Sequence, residues 1–489
     1  MILSNTDELN IYEIQLYSIR YNKLLNLKYR KSHKLDLLMK IKKLKKNRQG
    51  RVYLTNTLME IPNPIRNDLS NAKQKIDKSI KVLSLFSGCG GMDLGFEGGF
   101  EVHKECIHKE YNADFIDSEV GKDYIRLIKN RFEIVFANDI LKDAKIAWLH
   151  NFSKLGYKEN IFHSQSIVDL VKKHKRGQQI FPKNVDIVTG GFPCQDFSVA
   201  GKRNGLNSHK DHAGNKIIGS QPTIETRGQL YLWMKEVIEI TKPKMFIAEN
   251  VKGLVNLSNV KEIIQNDFSK ADNDGYIVLE PQVLHSADYG VPQSRQRVFF
   301  IGIKKSALNS KALKIFNSGK IPNEYSPYPK PSHAFNNKSN GLVDPVFLRT
   351  IFSHLEEPND ALDLSQRYYS KAKFMGRHCQ GQTEVKLDWI GPTIRAEHHG
   401  NIEFRRLSKD LGGKNIEELK QGKIERRLTP RECAMIQSFP KNFEFVLKER
   451  SKFKVSPSGA YKIIGNAVPP LLAFHIAKRI EKIWNKYFD

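Results

Sequence analysis

The sequence predicts an α/β protein: a doubly wound sheet domain with a smaller, irregular domain inserted before the C-terminus. Two observations predict the sheet. Short runs of β-branched and aromatic residues, bounded by glycine, proline, asparagine or aspartate, alternate with amphipathic stretches from about residue 79 to 304. The first of these runs passes through a glycine-rich turn straight into a helix-forming stretch, as ligand-binding βα units do. A third observation predicts the insertion. Between about 305 and 425 the alternation stops, and Pro322, Pro327, Pro329 and Pro331 interrupt a stretch rich in aromatic residues. The chain therefore divides into a basic extension (1–78), the sheet domain (79–304), the irregular domain (305–425) and a return to the sheet domain (426–489). The return carries helices at Pro430 to Gln437 and Leu471 to Tyr487.

In chain order, the extension comes first. Its segment from Arg20 to Arg51 holds thirteen Lys/Arg against one Asp, with Leu37, Ile41 and Leu44 at helical spacing. Such a helix either packs on the core with its charges in water or contacts a polyanion. Lys81 to Phe86 reads as a strand, Ser87-Gly88-Cys89-Gly90-Gly91 as a tight turn and Met92 to Phe96 as a helix. The spacing is not the strict G-x-G-x-x-G, so the ligand need not be a dinucleotide. Phe132 to Phe136 is a strand ending near Asn138-Asp139; Asp139 either caps a helix or hydrogen-bonds a ribose hydroxyl. Val185 to Thr189 is a buried strand ended by Gly190-Gly191, which puts Pro193 and Cys194 at the carboxyl edge, where ligands sit. Cys194 is a candidate nucleophile or a buried, inert thiol. Met245 to Val251 delivers Glu249 and Asn250 to the same edge. Either Glu249 faces the thiol across one pocket, or Asn250 is a helix cap.

With these residues in hand the chain resembles the DNA (cytosine-5)-methyltransferases of bacterial restriction–modification systems. The resemblance runs in that family's order from Lys81 to about Ala477. LFSGCGGMDLGF resembles its S-adenosylmethionine loop, GGFPCQDFSVAGKR its catalytic loop, ENV its acid strand and QSRQR its base-binding motif. RRLTPRECAMIQSFP and IIGNAVPP resemble its two closing motifs. The resemblance implies a Rossmann-like methyltransferase fold, S-adenosyl-L-methionine as cofactor, and 305–425 as target recognition domain.

It also implies roles for residues. Cys194, preceded by Pro193, matches the nucleophile, Glu249 with Asn250 the acid, and Arg295 and Arg297 the arginines of the base-binding motif. Phe86, Ser87, Gly88, Cys89, Gly90 and Gly91 match the cofactor loop, with Asp139 and Ile140 at the ribose. Ser166-Ile167 stand where members often carry an acidic residue before the isoleucine. Asn466, Ala467 and Val468 close the pocket. Gln195, Ser198, Gln293, Thr393 and Ile394 match positions facing DNA. The residue types suit the chemistry: a thiolate added to cytosine C6 makes C5 nucleophilic, an acid at N3 holds the resulting charge, and an arginine suits O2. The base must leave the duplex to be reached. The stretch between Cys194 and Arg227, rich in Gly, Ser, Asn, Lys and His, suits a lid. An insertion at about Glu101 to Arg131 departs from the family. Its His103, Cys106 and His108 read as ordinary loop residues rather than a metal site, because no second cluster completes a tetrahedron.

Composition agrees with this reading. The 489 residues carry a net charge of +26, which indicates a polyanionic partner. No run reaches the roughly 18 apolar residues of a membrane span. Five cysteines without paired spacing fit a reducing cytoplasm. The expectation is a cytoplasmic, nucleoid-associated monomer acting on double-stranded DNA beside a cognate restriction endonuclease. A tRNA methyltransferase of the same fold is the alternative, although the Cys-Phe-Thr element of that subgroup is absent. A catalytically silent DNA-binding regulator is a third, opposed by the intact Cys194, Glu249 and Arg297.

Overall fold

A computed structural model describes residues 45–46, 52–53, 79–193, 230–256, 259–335, 341–376, 378–379, 381–396 and 402–489. The chain falls into two units, Met1–Lys78 and Ser79–Asp489. In the first, Lys45–Lys46 and Val52–Tyr53 pair as a short antiparallel ladder. The helix expected around Leu37 to Leu44 lies outside the described residues, and it does not continue through Lys45. Val52 and Tyr53 are a β-branched and an aromatic residue, which favour pairing in a ladder.

The second unit is built on a central sheet. Its parallel strands are β1 (Ile80–Leu85), β2 (Phe132–Asn138), β3 (Phe162–His163), β4 (Ile187–Gly191) and β5 (Met245–Val251). Beyond β5 come β6 (Tyr276–Val278), β7 (Gln282–His285) and β8 (Gln296–Lys304). The order across the sheet is β6-β8-β5-β4-β1-β2-β3, with β7 also on β8. Strand β8 runs antiparallel to β5, β6 and β7.

Alternate strand residues feed two cores, because successive side chains leave a strand on opposite faces. Val82, Ile187, Ile247 and Ile301 enter one core with helices α1 (Gly91–Glu97) and α2 (Lys142–Phe152). Leu83, Val188, Phe246 and Phe300 enter the other with α3 (Ile167–Lys175), α4 (Leu230–Thr241) and α5 (Val260–Ser269). Burial of each large apolar side chain contributes about 1.5–3 kcal/mol, so the doubly covered sheet is a stiff platform for whatever its edge carries.

One expectation about this platform is corrected. Gly190-Gly191 do not end the β4 strand; they are its last two paired residues, Gly190 opposite Ala248 and Gly191 opposite Glu249. Glycine leaves room there for two side chains that reach over the strand. A Cβ on Gly190 would stand 2.9 Å from Met234 Sδ, and one on Gly191 2.8 Å from Glu249 Oε2.

The insertion after α1 is a three-stranded antiparallel sheet of Glu101–His103, Tyr124–Leu127 and Ile116–Val120, in that order. Its Phe115 packs edge-on against Phe474 of the C-terminal helix. His103, Cys106 and His108 have local duties. His103 Nδ1 accepts from Glu105 N, Cys106 is buried with its thiol pKa pushed up to about 12 by desolvation, and His108 Nε2 meets the Gly341 carbonyl.

The return segment starts with α6 (Pro430–Ile436). Its start is written in Thr429-Pro430-Arg431-Glu432: Thr429 Oγ1 accepts from Glu432 N while Glu432 accepts from Thr429 N, a capping box with proline at the first turn. A hairpin of β9 (Leu447–Glu449) and β10 (Lys452–Val455) follows, then α7 (Pro457–Asn466) and α8 (Pro470–Phe488). Helix α8 lies so close to α1 that a Cβ on Gly95 would be 2.4 Å from Ala473 Cβ.

Candidate active site

The carboxyl edges of β1, β2, β4 and β5 open on one cavity of about 760 Å³, a size suited to a drug-sized ligand. On the β1 side, Phe86 leaves the strand at φ 52°, a left-handed conformation uncommon for a bulky residue. Its neighbour Gly88 also has positive φ, and nothing stands within 4 Å of where a Cβ would be. A ligand can therefore touch the backbone at Gly88. Asp139, at the end of β2, accepts from Gly88 N at 2.9 Å through Oδ2 and from Leu141 N at 2.8 Å through Oδ1. Desolvation raises its pKa against these bonds. Each oxygen keeps a further lone pair for a ligand hydroxyl. Ile140, Ser166, Ile167, Asn466, Ala467 and Val468 also line the cavity.

The reactive side lies at β4 and β5. Glu249 is 7% exposed, and Arg297 Nε stands 3.0 Å from its Oε1. Desolvation raises the Glu249 pKa despite the opposing charges of Arg297 and Arg295. The carboxyl thus holds a proton more tightly than a free glutamate does. Asn250 caps no helix. Its Nδ2 donates to the Phe192 carbonyl at 3.1 Å and its Oδ1 accepts from Val251 N, which ties β5 to the chain leading into Pro193. Pro193 lines the cavity; Cys194, Gln195 and Ser198 lie outside the described residues.

Several predicted residues act elsewhere. Cys89 donates to the Ile463 carbonyl of α7 and is buried, so it faces packing and not the cavity. A Cβ on Gly90, at φ 90°, would sit 2.4 Å from Phe152 Cε2, and one on Gly91 2.3 Å from the Val468 carbonyl oxygen. These two glycines let helices close on the turn, whereas Gly88 is the one open to a ligand. Gln293 is 0% exposed and donates to Gln437 Oε1, so its side chain has no access to DNA here. Arg295 donates to the Ile394 and Gly465 carbonyls and so fixes the wall around Ile394, while Arg297 ion-pairs with Glu249. Thr393 Oγ1 donates to the Ser294 carbonyl, and both Thr393 and Ile394 line the cavity.

Sequence reasoning missed Lys462, Lys252, Gln296 and Arg395, all on the cavity wall. Lys462 had a signal: it precedes Asn466 by four residues on α7, hence shares its face. Gln437 was also missed. Its Nε2 donates to the carbonyls of Ile464 and Ala467, so one closing motif holds the other.

The model of the C-5 cytosine-specific DNA methylases matches residues 80–482. The chain belongs to this family. Among its relatives, the type II methyltransferase M.BsuRI of Bacillus subtilis is 30% identical over 430 residues, covering 83% of this chain and 81% of that one. M.NgoPII of Neisseria gonorrhoeae is 28% identical over 435 residues, covering 85% and 99%. The crystal structure of S. pombe Dnmt2 methyltransferase aligns over 83% of this chain and 99% of that one, at 17% identity and a TM-score of 0.46. This DNA methylase is a cytosine-5 methyltransferase that uses S-adenosyl-L-methionine. The open backbone at Gly88, the Phe86 side chain and the spare lone pairs of Asp139 fit such a nucleoside cofactor. No helix among the described residues is long and apolar enough to cross a membrane.

Proposed function

We propose that this methylase works through Cys194, Glu249 and Arg297 on a cytosine turned out of double-stranded DNA. The observation that carries the reading is the β4–β5 register. Gly191 opposite Glu249 brings the strand leading to Cys194 against the carboxyl group, with no side chain between them. The Cys194 thiolate forms a bond to C6 of the ring, and electron density moves to C5 and N3. Glu249, whose burial raises its proton affinity, donates to N3 and holds the exocyclic amine. Arg297, already paired with Glu249, keeps that carboxyl oriented and lends its charge to O2. Phe86, Gly88 and Asp139 would hold S-adenosyl-L-methionine, which would supply the methyl group to C5 and leave as S-adenosylhomocysteine. Solvent water then takes the C5 proton, the freed electron pair expels the Cys194 thiolate from C6, and N3 returns its proton to Glu249, which releases the product.

The test is covalent trapping. Bisulfite sequencing of plasmid DNA methylated by the enzyme gives the target. A duplex with 5-fluorocytosine at that position, which cannot lose the C5 substituent, should form a denaturant-resistant complex with the wild type and none with Cys194→Ser. Trapping by the serine variant would refute the nucleophile.

The segment 305–425 is proposed to carry sequence choice. Its support is that Thr393 and Ile394 return from it to the cavity wall, and that half-buried ion pairs from Glu357 to Arg406 and Arg426, with the buried pair of Arg426 and Glu432, anchor it to α6. Grafting it from a relative of different specificity should move the methylated sequence; a mark left at the original site would refute this. The relatives named above are type II methyltransferases. The corresponding role here is that of a cytoplasmic, nucleoid-associated monomer that protects host DNA from a paired endonuclease. Plasmid from cells expressing the methylase should resist an endonuclease cutting the same sequence.

A further inference from the structure

The hairpin β9–β10 and the segment 367–373 form a basic surface that neither the cavity nor the cofactor loop uses. Arg450, Lys452 and Lys454 of the hairpin and Arg367, Lys371 and Lys373 of the segment are exposed. Glu449 is the one acidic residue in the two stretches, and it pairs with Lys454 at 3.1 Å.

The surface has a rigid base. Ser370 N donates to Tyr461 Oη at 3.2 Å, and the buried Arg427 donates to the Ala372 and Lys373 carbonyls at 2.6 and 3.0 Å. With its backbone held from below, the segment turns Lys371 and Lys373 outward. The two stretches are joined by a packed cluster. Lys448 Nζ donates to Tyr368 Oη at 3.0 Å, and the Tyr368 and Phe453 rings meet edge-on at 5.1 Å. Lys371 Nζ lies 3.7 Å above the Tyr369 ring. Such contacts hold lysine stems in place and reduce the entropy lost when their heads bind an anion. Phe453 stays 40% exposed in the middle of the cations. The buried Tyr461, which holds Ser370, precedes Lys462 of the cavity wall, so one helix, α7, supports both the segment and the cavity.

We propose that this surface binds the phosphate backbone of the substrate duplex outside the target, and so holds the methylase on DNA without regard to sequence. The proposal rests on DNA being the substrate, and does not require either the Cys194 assignment or sequence choice by 305–425. Cations on a fixed framework match a polyanion, and each phosphate contact releases counterions; such contacts position a protein without reading bases.

The test uses the full chain with three exposed hairpin cations removed, Arg450→Gln, Lys452→Gln and Lys454→Gln. A control of equal charge loss, Lys158→Gln, Lys183→Gln and Lys270→Gln, changes exposed lysines in the stretches leading into β3, β4 and β6, outside 305–425. Binding of a long duplex with and without the target is measured by fluorescence anisotropy over a range of salt. Each lost contact lowers the slope of log affinity against log salt by about 0.9, so the hairpin variant should lose about 2 to 3 in slope and the control should not. Affinity for target and random duplex should fall by the same factor, while kcat at saturating DNA stays at the wild-type value. Should the hairpin variant unfold, Lys371→Gln with Lys373→Gln reads the same surface from the other stretch, with an expected slope loss of about 1 to 2. An unchanged slope, or an equal loss in the control, would overturn the proposal by leaving net charge as the only effect.

Discussion

Replacing Asp93 by asparagine removes a charge that the fold holds at a cost beneath the glycine turn. Asp93 is 1% exposed. It accepts from Ser84 Oγ at 2.5 Å and from Trp148 Nε1 at 2.7 Å, and Ser87 Oγ in turn donates to Ser84 Oγ. Desolvation outweighs these bonds and pushes its pKa from 3.8 up to about 6. The folded chain therefore binds this proton more tightly than the unfolded chain does. Below the unfolded value both states are protonated, and the group leaves stability unchanged. As pH rises from about 4 to about 6 the unfolded state ionises first and stability falls, until above about 6 the full penalty of about 3 kcal/mol is present. About half of that, about 1.5 kcal/mol, accrues between pH 5 and pH 8. Asparagine does not titrate, and it loses one acceptor bond worth about 1 kcal/mol. Urea unfolding of both proteins at the two pH values isolates the effect, because the difference between them cancels groups common to both. Asp93→Asn should gain about 1.5 kcal/mol on the wild type from pH 5 to pH 8. A difference that does not change with pH would refute the buried-charge argument.

Gly90→Ala should destabilise the fold by about 2 to 4 kcal/mol, since it adds a Cβ against Phe152 and Trp148 at a positive φ. Its urea midpoint should drop, and a normal midpoint with lost cofactor affinity would mean that the ligand, and not the helix, occupies that space. Glu249→Gln should lower kcat by about two to four orders of magnitude with DNA affinity within a few-fold, because the amide still hydrogen-bonds the base without passing a proton. Single-turnover methylation checks this, and a wild-type rate would remove Glu249 from the mechanism.

The elements that position the site were legible because their signals are local. A β-branched run followed by glycine and a short amphipathic stretch gives β1, its turn and α1 with no knowledge of the rest of the chain. Met245 to Val251 was read residue for residue as the strand that forms. Thr429-Pro430-Arg431-Glu432 likewise marks the start of α6 by its own hydrogen bonds. The long C-terminal helix is equally visible, running from Pro470 to Phe488 where Leu471 to Tyr487 was expected.

What tertiary structure decided is which member of each motif meets the cavity. Gly88, Gly90 and Gly91 look alike in sequence, and all three leave room. Whether that room is taken by a ligand, by Phe152 or by the Val468 carbonyl depends on chain that arrives from 60 to nearly 400 residues away. Gln293, Arg295 and Arg297 belong to one short stretch, yet they end in different settings: Arg297 ion-pairs with Glu249, and Arg295 acts on that carboxyl through its charge. Gln293 is enclosed against Gln437, and Arg295, although it lines the cavity, is held by the Ile394 and Gly465 carbonyls; these partners arrive from distant parts of the chain. Residue type and spacing determined the chemistry available to this protein. Packing decided where that chemistry faces, because burial and hydrogen-bond partners are properties of segments brought together by the fold and are not encoded in any one of them.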